Sequence, residues 1–135
     1  MPEHLHFIGQ RLLSIPHIRR FRVATKGLCV TPSRTLDPTD DWTQTLIDLV
    51  NAGRKLGKHV ALHTHFCHPN EFSWVSREAA QRLFEAGVTV RNQSVLLRGV
   101  NDDVQTMSAL IRELADCNIQ PVSFVFSMHV YARDT

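Results

Sequence analysis

The sequence predicts an α/β fold, with about four parallel strands and covering helices arranged as part of a (β/α) barrel. Hydrophobic periodicity switches several times between the spacing of two that suits a strand and the spacings of three and four that suit a helix. Each apolar strand segment is followed by an amphipathic segment long enough to return the chain to the same edge of a sheet, as parallel pairing requires. At 135 residues the chain is about half of the roughly 250 residues of a closed eight-unit barrel. An open doubly wound sheet is the alternative, and it would be complete at this length.

The elements follow in order. A short helix is expected over residues 3–14, and the loose alternation of Ile18, Phe21 and Val23 with arginines predicts a strand over 18–25. The segment from Pro32 to Pro38 is rich in turn formers. Asp37 to Asp41 offer caps for a helix over 40–56, with Trp42, Leu46, Leu49, Val50 and Leu56 on one face and Gly57 as its stop. Lys58 to Phe66 reads as a buried strand. After the Pro69-Asn70 turn, a helix from Ser73 packs Ala79, Ala80, Leu83 and Phe84 and ends at Gly87. Val88 to Leu97 is the next strand. Asn101-Asp102 is read as an N-cap, and Val104, Met107, Leu110, Ile111 and Leu114 form the face of a helix to about Asp116. Ile119 to Phe126 supplies a last strand.

Composition excludes several classes. With 43% hydrophobic and 21% charged residues, the chain has the balance of a globular domain. No apolar run approaches the ~20 residues that span a bilayer, so no membrane partner is expected. Met1 to His6 lacks the basic and apolar regions of a secretory signal, and the expected location is intracellular, in the cytoplasm. The net charge of +2 is small. Arg19-Arg20-Phe21-Arg22 alternates as a solvated strand face would, so nucleic acid is not an expected partner. Cys29, Cys67 and Cys117 are widely spaced and odd in number, which suits reduced thiols rather than a disulfide framework or a metal knuckle.

In parallel α/β folds, ligands meet the carboxyl ends of the strands. Two of those ends are unusually polar here. In His63-Thr64-His65-Phe66-Cys67-His68-Pro69-Asn70-Glu71 a strand period of two would place His63, His65 and Cys67 on one face. They either contact a metal or cofactor or hydrogen-bond within a barrel interior. In Arg91-Asn92-Gln93-Ser94 four polar residues interrupt an apolar strand. Each needs partners, since an unsatisfied buried amide costs on the order of 1–3 kcal/mol. A bound ligand or a mutual network could supply them. Arg98-Gly99-Val100-Asn101-Asp102 reads as a tight turn and helix cap.

The block from His63 to Glu71, followed after a helix by Asn92-Gln93-Ser94-Val95-Leu96-Leu97-Arg98-Gly99-Val100-Asn101-Asp102, resembles the lysine 2,3-aminomutase family. Ile15-Pro16-His17-Ile18 with Arg22 and Thr25 resembles its preceding strand, so the similarity covers residues 5–121. The resemblance implies a barrel of the radical S-adenosylmethionine type. It also implies an isomerase that moves an amino group from C2 to C3 of a lysine-like amino acid, by radical chemistry on a pyridoxal phosphate aldimine. A 4Fe–4S iron-sulfur cluster, S-adenosylmethionine and pyridoxal phosphate are the implied cofactors. By the same matching, His65 and Gln93 fall on positions that contact S-adenosylmethionine. No catalytic residue and no metal ligand is assigned.

The sequence also departs from the family. The cluster needs a CxxxCxxC run, and no two cysteines here are that close. The pyridoxal phosphate lysine belongs to a Gly-rich segment downstream of the matching blocks, so neither cluster nor pyridoxal phosphate is expected to bind in the family's way. Cys67 replaces a usual Asn, and Met128 stands at the position of a substrate-binding carboxylate. The expected organisation is a partial barrel domain over 1–121 and a divergent end over 122–135. The chain then reads as a fragment or degenerate member, inactive alone, from a truncated, misspliced or mispredicted product. Its intact form would act on lysine, glutamate or a protein-bound lysine. Two other readings stand beside it: a metal-dependent hydrolase using His63 and His65, for which His129 is the only later histidine, and a non-catalytic binding module. Open barrel edges predict self-association.

Overall fold

Leu5 and Leu13 lie one above the other on the inner face of the first helix, α1 (Pro2–Ser14). The computed structural model describes residues 2–126, and the expectations placed on Met128 and His129 lie outside the described residues. Gly9 is where α1 meets α4 (Trp42–Lys55): a Cβ there would stand 2.5 Å from the Leu49 methyl groups, so only glycine permits this approach.

The chain continues through β1 (Arg20–Ala24) into two single-turn helices, α2 (Gly27–Val30) and α3 (Ser33–Leu36). The sequence predicts turns from Pro32 to Pro38, where α3 lies, and no helix at α2, because four-residue helices carry no periodicity to detect. After α4 come β2 (His59–Thr64), a 3₁₀ turn (Pro69–Glu71), α5 (Trp74–Glu85), β3 (Thr89–Leu96), α6 (Val104–Asp116) and β4 (Ile119–Phe126). Gly57 and Gly87 take φ of +69° and +79°, closing the turns after α4 and α5 in a conformation that side chains resist.

The four strands form one parallel sheet in the order β1-β2-β3-β4. Val60, Leu62, Val90 and Ile119 join Leu46, Leu49, Val50, Ala79, Ala80, Leu83, Leu110 and Leu114 in one core. Each fully buried leucine there contributes about 1.5–3 kcal/mol. Phe21 and Val23 of β1 pack against the same core, while Arg20, Arg22 and Ala24 are exposed. Sequential strand order and a core on one side are what a (β/α) barrel gives. A doubly wound sheet would reverse its strand order and carry helices on both faces. Partial barrel is therefore the architecture, left open at β1 and β4.

Expectations of both packing and capping change. Leu56, Phe84, Val104 and Ile111 are 59%, 52%, 81% and 41% exposed rather than core, since periodicity identifies a face but not how far the neighbours extend over it. The cap of α6 is Asp103, whose carboxylate accepts from Thr106 N at 2.8 Å, not Asn101 or Asp102. Pro121, lacking an N–H, sits at a register shift: Asn92 pairs with Pro121 but Gln93 pairs with Ser123. The irregularity falls beside the polar run in the middle of β3.

Candidate functional site at the strand carboxyl ends

The polar run of β3 divides by strand alternation. Asn92 and Ser94 are 1% exposed and turn toward the loop that follows β2. Asn92 Nδ2 donates to Phe66 O at 3.0 Å and its Oδ1 accepts from Phe66 N at 2.7 Å, so one side chain does what a neighbouring strand would. Ser94 Oγ donates to the same Phe66 carbonyl at 2.7 Å. Phe66 itself is fully buried and stacks on Phe72 with ring centroids 4.1 Å apart.

The next residues are fixed from three sides. Glu71 Oε1 accepts from Cys67 N at 2.6 Å and His68 N at 3.0 Å, and its Oε2 pairs with Lys26 at 3.2 Å. Lys26 Nζ also donates to His65 O at 2.9 Å. Burial opposes the Lys26 charge, but the Glu71 hydrogen bond and carboxylate, with smaller contributions from Cys29 and Cys67, outweigh it and raise the Lys26 pKa. Asn101 is fully buried and donates to Cys67 O at 2.7 Å and Val95 O at 2.9 Å while accepting from Leu97 N at 2.7 Å. Every backbone polar group from His65 O to His68 O thus has a named partner, the His68 carbonyl accepting from Glu71 N at 3.1 Å. The segment is held rigid before any ligand arrives.

These anchors were only partly visible in the sequence. Asn101 reads in the sequence as a cap, whereas in the structure its amide ties the two polar loops together. Lys26 carried no motif. Glu71 closes a capping box with His68, whose Nδ1 accepts from Asn70 N at 3.0 Å. Histidine is not among the usual N-cap residues, so the pattern was not recognisable.

The strand alternation that would group His63, His65 and Cys67 stops at Thr64. Cys67 instead turns its sulfur to Val95 N at 3.5 Å. His63 lies in register with Arg91 on the face away from the helices, where both line a cavity of about 510 Å³. His65 and Gln93 are the next positions after the last β2–β3 pair, Thr64 with Asn92. Both are half-buried, and among the described residues neither side chain has a hydrogen-bond partner. Two polar groups side by side, on a backbone held immobile, can receive a ligand that offers both donors and acceptors.

Among the described residues no group of three or more His, Cys, Asp or Glu side chains is placed to hold a metal ion, and no helix is long and apolar enough to cross a membrane. The three cysteines stay apart, with Cys117 buried near Glu113 and Cys29 beside Thr64. The donors present do not fit an iron-sulfur cluster.

One-sided parallel sheet, sequential strands and polar carboxyl ends define the class: an α/β-barrel segment with a ligand-facing wall. No protein-family model matches the chain. Curated proteins do. It is 40% identical over 119 residues to the L-lysine 2,3-aminomutase of Clostridium subterminale, covering 88% of this chain and 26% of that enzyme. Over 128 residues it is 35% identical to the glutamate 2,3-aminomutase of Clostridioides difficile, covering 95% and 28%. The L-lysine 2,3-aminomutase of Escherichia coli is 34% identical over 119 residues, 88% and 32% of the two chains. The chain belongs, as a partial chain, to the lysine 2,3-aminomutase family. It spans between about a quarter and a third of the length of these relatives.

Proposed function

We propose that the chain forms a cofactor-facing wall of a radical S-adenosylmethionine aminomutase barrel. His65 and Gln93 are the residues we assign to S-adenosylmethionine. The observation that carries this reading is their placement, His65 just past the end of β2 and Gln93 within β3 one position beyond the last β2–β3 pair, without hydrogen-bond partners among the described residues, beside a loop whose backbone is tied by Asn92, Glu71, Lys26 and Asn101. An adenine, ribose or methionyl group supplies the complementary donors and acceptors. In an intact barrel that cofactor supplies the radical that starts amino-group migration. The part of this chain is to bind, orient and screen: the imidazole and amide fix the ligand, and buried Phe66 with Phe72 backs the loop that presents them.

The rest of the reaction belongs to groups these residues do not contain. Cys29, Cys67 and Cys117 do not form a CxxxCxxC run, and no lysine lies in a Gly-rich segment that would take pyridoxal phosphate. We therefore assign no catalytic residue, and we propose that these 135 residues alone are catalytically silent. A division into a barrel part over 1–121 and a divergent end over 122–135, an amino-acid substrate for the intact enzyme, and self-association through the sheet edges belong to the same proposal. The test is reconstitution with iron, sulfide, S-adenosylmethionine and pyridoxal phosphate, followed by an assay on lysine and glutamate. No isomerisation is expected. Clear turnover by the chain alone would overturn the assignment of a silent wall.

A further inference from the structure

The face of the sheet away from the helices carries a recess below the level of His65 and Gln93. Ala61 of β2 forms its floor, in register with Arg22 of β1. Two residues along β2, His63 is in register with Arg91 of β3. Arg20 and His59 flank the near end, and Ser123 of β4 brings a hydroxyl to the far wall. Every ionisable lining residue is cationic or imidazole, and no Asp or Glu lines the recess among the described residues. The Nε of Arg91 is buried and has no hydrogen-bond partner among the described residues. A buried guanidinium donor left unpaired is costly, and three positive groups facing one space repel each other unless an anion joins them.

We propose that this recess binds a tetrahedral phosphate-type anion, held by the Arg22 and Arg91 guanidiniums and the His63 imidazole. A carboxylate offers two oxygens, which one guanidinium fork consumes. Two forks rising from strands on either side of β2, with an imidazole between them, match an anion with three or four oxygens. The small Ala61 leaves the volume for it. His63 is consistent with the assignment: burial first, and then the charges of Arg22, Arg91 and His65, hold its pKa below the ordinary histidine value. The groups proposed to hold the anion include none of the residues assigned to S-adenosylmethionine, so each proposal can fail without the other.

The test is titration of the full chain with inorganic phosphate, read by calorimetry and by NMR of the His63 ring. Saturable binding is expected, weakened about tenfold or more by Arg91→Gln or Arg22→Gln. Arg112→Gln, on the exposed face of α6, should leave it unchanged. Phosphate should also raise the His63 pKa in the unaltered chain, a readout that needs no variant to fold. Absence of saturable binding, equal affinity for acetate, or a His63 titration curve indifferent to phosphate would each overturn the proposal.

Discussion

At the scale of single residues, Asn92 is the most demanding position in the described structure. It is buried, and its amide satisfies both the N–H and the C=O of Phe66. Asn92→Ala orphans both groups and should cost on the order of 3 kcal/mol in urea denaturation. Asn92→Asp keeps the acceptor for Phe66 N but turns a second acceptor on Phe66 O, so it should rescue little. A loss below about 1 kcal/mol for Asn92→Ala would mean that the loop finds other partners. Cys29 gives a pH prediction. Burial, opposed in part by the Thr64 hydroxyl, pushes its thiol up to about 11 from an ordinary value of 9.0. The unfolded chain therefore releases that proton first, and stability should fall as pH rises from 9.0 toward 11. Cys29→Ala should flatten this part of the stability profile, and Cys29 should resist alkylation in the native protein below that range.

The elements were legible where periodicity was long. The helices α1, α4, α5 and α6 and all four strands fall close to where hydrophobic spacing puts them, because each buries a continuous apolar stripe. What spacing could not give was the width of the cover. Val104 sits on the predicted face of α6 yet lies one turn beyond the sheet's reach, 81% exposed. Nor could it separate Asn101, Asp102 and Asp103, three adjacent cap formers of which the backbone uses only the last for α6. Ser73, where the sequence starts its helix, is the structural N-cap of α5: its hydroxyl accepts from Ser76 N at 3.1 Å and its N–H donates to Ser76 Oγ at 2.7 Å. Ser73→Ala should cost about 1 kcal/mol in thermal or urea unfolding, and Ser73→Asp should retain most of the stability. Equal stability of all three proteins would remove the cap from the account.

For the whole molecule, the site was legible as a pair of polar blocks but not as a structure. Sequence alternation put His63, His65 and Cys67 together; the strand ends at Thr64, so His63 joins Arg91 in the recess while Cys67 turns to β3. The Lys26–Glu71 pair and the Asn101 bridge arise from residues 45 and 34 positions apart, and no local pattern announces such distances. The open sheet has its own consequence. β1 and β4 each leave one edge unpaired, and Val122, Phe124 and Val125 on β4 are 38–47% exposed. Such edges invite pairing. Analytical ultracentrifugation should show concentration-dependent association, reduced by Val125→Lys; a monomer at all concentrations would contradict a half barrel that exposes its edges.

The central claim is that the wall formed by β2 and β3 faces S-adenosylmethionine through His65 and Gln93, and the most direct measurement is an NMR titration of the full chain with that cofactor. The account predicts saturable shifts concentrated on His65, Gln93 and the loop from Phe66 to Glu71, lost on His65→Ala and Gln93→Ala while the Arg91→Gln variant keeps them. Shifts absent at saturating cofactor, or scattered over the helical face and unchanged by those two substitutions, would contradict it.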